Sequence, residues 1–226
     1  MGVTLPKSGV VILTFLHFLF GCSGIQDPAD QPERTAPGWQ SLFDGETLSG
    51  WDSTRFGGEG WVRVIDGAIF LFPGDSLTGI TWRGEVPKYN YEIYLEAQRV
   101  KGNDFFCGLT FPVHDSFCSL IIGGWGGAVV GISNLDGLDA SENETNRLRR
   151  FENGRWYEVK VRVGSERLEA WIDEEQFVDL AVEGRQFNVR SEVRLSRPFG
   201  IASWQTTSAL KEIWIHYPIS RDPIPQ

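Results

Sequence analysis

Cysteine and histidine are both scarce in this 226-residue chain, with three of each. One cysteine, Cys22, falls in the leader, and no CxxC pair exists. The histidines His17, His114 and His216 are scattered. That spacing excludes a zinc-finger type of centre. Positive charge is also short: 21 Lys and Arg face 30 Asp and Glu, a net charge of -9 and a pI near 4.9. With no basic stripe to meet phosphates, nucleic acid is excluded as a partner. There is no fixed-period repeat and no low-complexity tract. No apolar run is long enough to cross a bilayer as a helix, and no long amphipathic helix stands out beyond a turn or two within 140–151.

What is present begins with a leader. Lys7 precedes an apolar run over 10–20, then Gly21-Cys22. The run has the length of a signal-peptide core. Leu19-Phe20-Gly21-Cys22 resembles the bacterial lipobox, in which the cysteine carries the lipid, although Phe20 is bulky for it and His17 interrupts the run. The expected organisation is a lipoprotein signal peptide over 1–21, a flexible tether over 22–37, a folded domain over 38–219 and a tail over 220–226. The expected location is membrane-anchored through Cys22, facing the periplasm or cell surface.

From residue 39 onward the pattern is that of strands. In 89–100, Tyr91, Ile93, Leu95 and Ala97 face one way, while Glu92, Tyr94, Glu96 and Gln98 face the other. In 155–163, Tyr157, Val159, Val161 and Val163 point inward, and Trp156, Glu158, Lys160 and Arg162 outward. Asp66-Gly67 supplies a two-residue hairpin turn. About a dozen short strands with glycine-rich turns predict an all-β fold: a jelly-roll sandwich of two antiparallel sheets. Cys107 and Cys118 bracket a hairpin, so they are either cross-strand disulfide partners in an exported chain or two small buried apolar side chains.

Nine tryptophans exceed what a core alone needs, and aromatic faces stack on sugars. Glu92, Tyr94, Glu96 and Trp156 share one face, either a ligand groove or a solvated sheet surface. Glu92 and Glu96 lie roughly 13 Å apart along a strand, too far to act as a glycosidase pair by themselves. Gly123-Gly124-Trp125-Gly126-Gly127 lacks the Gly-Lys-Ser/Thr ending of a phosphate loop. It reads as a tight strand crossing or as backbone held close to a ligand. The following loop concentrates Asn134, Asp136, Asp139, Glu142, Asn143 and Glu144. It fails the EF-hand pattern and is either a solvated acidic loop or an irregular calcium-like site with Asp136 and Asp139 as ligands. His114-Asp115 reads as an exposed turn or as a general base with its orienting carboxylate.

The segments GWQSLFDGETLSGW (38–51), DGAIF, YNYEIYLEAQ, KGNDFFCGLTF, NGRWYEVKVRV, LEAWID and IASWQTTSALKEIWI occur in the order and spacing of one family. Together they resemble the 3-keto-disaccharide hydrolase domain family, also described as 3-keto-glucoside lyase/2-hydroxy-glucal hydratase. The resemblance covers 38–219 and implies a concanavalin-like sandwich, export and a carbohydrate substrate. It also implies a reaction. A ketone at C3 acidifies the C2 hydrogen, a base removes it, donors or a metal hold the enolate oxygen, the C1 substituent leaves, and water adds. The chain departs from the family at Phe111-Pro112, where many members have arginine. It departs again over 117–123, where many have Glu, Gln and Asp, and at Trp204-Gln205, where a histidine is common. The chain therefore resembles a divergent branch. Asp139, Glu142 and Glu96 are the acid/base candidates, and Asn103, Asn143, Trp125, Trp156 and Tyr94 the substrate-contacting ones. A non-catalytic glycan-binding lipoprotein is the alternative.

Overall fold

The computed structural model describes residues 1–2 and 37–217. The signal peptide, Cys22, the tether up to residue 36 and the tail beyond 217 lie outside the described residues. The chain divides into two units, Met1–Arg34 and Thr35–Gln226, and the sandwich is the second.

Its strands are, in order, β1 (Trp39–Ser41), β2 (Trp51–Ser53), β3 (Val62–Ile65), β4 (Ala68–Leu71), β5 (Leu77–Trp82), β6 (Tyr91–Lys101), β7 (Cys107–Val113) and β8 (Ser116–Gly124). There follow β9 (Val129–Ser133), β10 (Arg147–Leu148), β11 (Trp156–Val163), β12 (Arg167–Ile172), β13 (Glu175–Ala181), β14 (Gly200–Trp204) and β15 (Thr207–His216). They form two antiparallel sheets. The eight-stranded one runs β13-β12-β11-β6-β15-β4-β3 with β1 on β15, and the seven-stranded one runs β10-β9-β8-β7-β14-β5-β2. The two-layer sandwich is the one the alternation predicts. Ile93 and Leu95 of β6 and Val159 and Val161 of β11 are fully buried, as are Leu109, Leu120 and Ile132 of the other sheet. Each such side chain contributes roughly 1.5–3 kcal/mol through burial.

Three local features add to the strand pattern. Strand β5 carries Thr-Gly-Ile-Thr at its centre, and its glycine is required. A Cβ on Gly79 would sit 2.6 Å from the Ile201 carbonyl oxygen of β14. Residues 140–151 form turns and the two-residue β10, with no helix. Residues 182–199, without alternation, form a strap over the seven-stranded sheet and include a short 3-10 helix at Ser191–Ser196. Cys107 and Cys118 are both buried and free. They face Ile122 and Phe111 across the β7–β8 pair, which is the apolar alternative. Burial pushes the Cys107 thiol up to about 12 and the Cys118 thiol well above its usual range.

Candidate functional site

Two central cross-strand rows on the outward side of the seven-stranded sheet are small or polar apart from Ile121. One cross-strand row is Thr81, Gly200, Thr110, Ser119 and Ser133. The next outward row is Gly79, Ala202, Gly108, Ile121 and Gly131. Small side chains let other segments lie down on this face. The strap does so: its Val189 and Val193 pack with Ala202, Leu77, Phe105, Phe117 and Trp204. The Thr81 hydroxyl donates to the Leu195 carbonyl at 3.0 Å. The 134–146 loop covers the neighbouring part, with Ala140 against Ile121 and Val129. Between the strap and the β8–β9 turn remains a cavity of about 190 Å³, room for one sugar ring. Its wall is largely apolar (Leu77, Phe105, Ile121, Val193 and two tryptophans, Trp125 and Trp204), and its polar groups are Asp104, Ser119, Ser133, Arg190 and Glu192.

Trp125 reaches this cavity because the glycine run is the β8–β9 turn. Gly123, Gly126 and Gly127 all have positive φ, as does Trp125 itself at 47°. The Gly124 carbonyl accepts from the Gly127 and Ala128 N–H groups. The turn therefore displays the indole, 44% exposed, against the cavity. Asp104 supports it from below. Its carboxylate accepts the Phe105 N–H at 2.7 Å and the Gly126 N–H at 3.3 Å.

The opposite side is ionic. Arg190 of the strap is ion-paired to Asp139 of the 134–146 loop and to Glu192 at 3.1 Å. The Ser133 hydroxyl donates to Asp139 at 3.3 Å. Hydrogen bonds from Arg190, its own backbone amide and the Ser191 hydroxyl hold Glu192 down to about 2. The same pairing raises Arg190 further, chiefly through Glu192. Arg190 is the one cation lining the cavity among the described residues, and it has carboxylates on two sides.

The sequence candidates separate between the two faces. Asp139 and Trp125 lie at the cavity, Trp125 directly and Asp139 through Arg190 and Ser133. Glu142 is exposed nearby and adds to the negative field at Arg190. Asn143 is buried within its loop. Its amide donates to the carbonyls of Ile132 and Asp139, and its oxygen accepts from Thr145. It holds the loop shut and presents no free group to the cavity. Asn103 is exposed on the β6–β7 connection and is absent from the cavity lining. Glu96, Tyr94 and Trp156 lie on the outer face of the other sheet. There Lys211 pairs with Glu96 at 3.0 Å and sits 4.6 Å over the Trp156 ring. Lys160 and Arg162 likewise pair with Glu92. That face is laced with ion pairs, and Tyr94 is buried beneath them. Asp136 is bound by Arg185 at 2.8 Å and by the Gln186 N–H. Asp136 and Asp139 thus engage different arginines. Among the described residues no three His, Cys, Asp or Glu side chains are placed to hold a metal ion, so this donor set does not fit one. Asp115 pairs with Lys88 at 2.7 Å in the exposed β7–β8 turn. Asp104, Arg190, Glu192 and the two serines carried no sequence signal as a set, because they come from the β6–β7 connection, two strands and the strap.

The two-sheet jelly-roll sandwich is shared with several solved structures. A presumed glycosyl hydrolase from Parabacteroides distasonis ATCC 8503 superimposes with a TM-score of 0.52 at 17% identity, covering 82% of this chain and 96% of that one. Domain 4 of AbnA, an extracellular arabinanase of Geobacillus stearothermophilus in complex with arabinotriose, gives 0.51 at 14% identity, covering 80% and 91%. The apo Crh5 transglycosylase gives 0.53 at 9%, covering 80% and 83%. These likenesses concern the fold. Among curated proteins none matches the chain. Residues 38–216 match the 3-keto-alpha-glucoside-1,2-lyase-like domain, and the chain belongs to that family. It is on that ground a carbohydrate-active or carbohydrate-binding domain.

Proposed function

We propose that the cavity binds one ring of a 3-keto-glycoside and cleaves it by elimination, followed by hydration of the product. The observation that carries this reading is the placement of Arg190, the one cation lining the cavity among the described residues, opposite an aromatic wall and Asp104, a carboxylate with no salt bridge among those residues. The sugar ring stacks on Trp125. Asp104, whose oxygens accept from the Phe105 and Gly126 backbone N–H groups, takes the proton from C2. Electron density moves onto the C3 carbonyl oxygen, which the Arg190 guanidinium holds. Asp139 and Ser133 keep Arg190 aimed at the cavity. The C2–H and C1–O bonds break, a C1=C2 double bond forms, and the proton passes through solvent at the mouth to the departing oxygen. Water then adds to the enol ether, giving net hydrolysis. The work of Asp139 is thus orienting, while Glu142 and Glu96 stand outside the cavity. Lipid anchoring at Cys22, with the domain facing the periplasm or cell surface, belongs to the same proposal. Its support is the pattern of the first 22 residues.

The test is release of 4-nitrophenol from 4-nitrophenyl 3-keto-α-glucoside by the purified protein, with and without EDTA. Release that survives EDTA is expected if Arg190 rather than a metal ion holds the oxygen. The second reading, a glycan-binding module without turnover, is favoured by one observation: Arg190 is already neutralised by Asp139 and Glu192. Saturable binding of the unoxidised glucoside without any product from the 3-keto compound would decide for it.

A further inference from the structure

Arg99 sits near the end of β6, on the inward-facing row that continues Ile93, Leu95 and Ala97, and is only 7% exposed. Among the described residues no carboxylate bonds it. Its Nε donates to Asn153 Oδ1 at 2.7 Å, its Nη1 to the Gly127 carbonyl at 3.3 Å and its Nη2 to the Phe151 carbonyl. Burial pulls its pKa below the usual guanidinium range, and the nearby Tyr157 and Asp104 work in the opposite direction. Burying a guanidinium without an ion pair costs several kcal/mol. An apolar side chain of equal length would fill the same space without that cost. Arginine is therefore here for its fork, which ties β6 to two separate loops.

One of those loops is the β8–β9 turn. Gly127 approaches Arg99 so closely that a Cβ there would lie 2.8 Å from Nη1 and 2.9 Å from the Asn103 carbonyl oxygen. Its φ of 105° also favours glycine. The two residues after Trp125 are thus held from two sides, Gly126 by the Asp104 carboxylate and Gly127 by Arg99. The other arm closes through Asn153, whose Nδ2 donates to the Gly102 carbonyl at 3.4 Å, and through the Gly154 N–H, which donates to the Arg99 carbonyl at 2.8 Å.

We propose that Arg99 is a positioning residue: by clamping the carbonyl of Gly127 it fixes the β8–β9 turn and with it the Trp125 wall of the cavity. Arg99 touches no substrate. The consequence for ligands rests on the reading of the cavity as a sugar site, but the placement of Trp125 does not.

The test therefore has two readouts. In the full protein labelled with 5-fluorotryptophan, the Trp125 resonance, assigned by its loss in W125F, is a single sharp line in the wild type. In R99K, which keeps the charge but not the fork, it shifts or broadens while the other tryptophan lines stay. N153A removes one acceptor from an exposed loop without touching the buried cation. It gives the same change to a smaller degree and serves should R99K not fold. A Trp125 line unchanged in N153A and in any folded R99K overturns the proposal, whether or not the wild type turns over any substrate. The second readout is quenching by 4-nitrophenyl α-glucoside, which has no C3 ketone and cannot react. R99K and W125A each weaken its binding by about tenfold, the worth of one stacking contact. The R99K/W125A double variant is no weaker than W125A alone. Losses that multiply in the double variant show Arg99 acting elsewhere and also overturn the proposal.

Discussion

Arg190 and Asp139, 51 residues apart in sequence, meet as an ion pair beside the cavity. The strap and the 134–146 loop thereby lean on each other across the face of the seven-stranded sheet. The pair is reinforced by backbone pairing of Asn134 with Asn188, through N–H to carbonyl bonds of 2.8 and 3.1 Å in the two directions. Breaking it changes the direction of the only cation lining the cavity among the described residues.

If Arg190 holds the enolate oxygen, Arg190→Gln lowers kcat on the 3-keto-glucoside by about 100- to 1000-fold, as loss of one preorganised oxyanion donor does. Asp139→Asn, which only frees the arginine, lowers it by roughly 10-fold. The double variant is no worse than Arg190→Gln alone, since both changes act on one group. Steady-state kinetics of the four proteins checks this. Equal losses from Asp139→Asn and Arg190→Gln that add in the double variant would falsify the division of labour.

The two faces of the sandwich make opposite predictions. Trp125→Ala is expected to raise KM by up to about 10-fold with kcat little changed, because stacking acts on ground and transition states alike. Glu96→Gln and Trp156→Ala change the outer face of the eight-stranded sheet, where Lys211 spans both residues. They leave the kinetics of a single-ring substrate within twofold. A large effect of Glu96→Gln on kcat would move the site to the other sheet.

The alternation of β6 and β11 made the sandwich legible because a half-buried strand writes its two faces into successive residues. The glycine-flanked Trp125 was legible as a special backbone for the same local reason. The rest of the cavity was not. Asp104 follows a turn, Ser119 and Ser133 are ordinary strand residues, and Arg190 sits on a strap with no periodicity. Only the β7–β8–β9 register aligns the two serines, and only the Val189 and Val193 contacts bring Arg190 over them. The acidity of residues 134–144 was plain, but not its purpose. The arginines that answer it, Arg185 and Arg190, arrive from the strap.

The core tolerates little loss of volume. Leu95 is fully buried at the centre of β6, between β11 and β15 in the larger sheet. Leu95→Ala is expected to cost about 2–5 kcal/mol in chemical denaturation, with an unchanged m value. A cost below about 1 kcal/mol would mean that the two sheets close over the gap.

Thiol chemistry reports the same packing. Burial holds the Cys107 thiol at about 12 and Cys118 well above its ordinary range, so both remain protonated at neutral pH, and the thiolate is the reactive form. Iodoacetamide at pH 8 is expected to leave both unmodified in the native protein and to label both in denaturant without prior reduction, as peptide mapping by mass spectrometry reads it. Labelling that needs a reductant would show a disulfide instead of two free thiols.

Acid is expected to loosen the strap before it unfolds the sandwich. Glu192 is held near 2 in the folded protein against 4.5 for the free side chain. A depressed carboxyl pKa favours the folded arrangement fully above the unfolded value, and that contribution is lost as pH falls from about 4.5 to about 2. Protonation of Glu192 removes its hydrogen bond with Arg190. The core strands are held chiefly by apolar burial; the one lowered carboxyl on them among the described residues, Glu92, which burial raises and its bonds with Arg162 and Lys160 lower, lies on the outer face, away from the strap. Amide hydrogen exchange at pH 5 and pH 2.5, corrected for intrinsic rates, is therefore expected to show protection lost in the 186–196 segment at the lower pH while β6, β8 and β11 keep theirs. In Glu192→Gln the strap is already loosened at pH 5 and changes less between the two pH values. Equal loss of protection in strap and core strands would show that the acid response is global unfolding and that the Glu192–Arg190 contact does not set it.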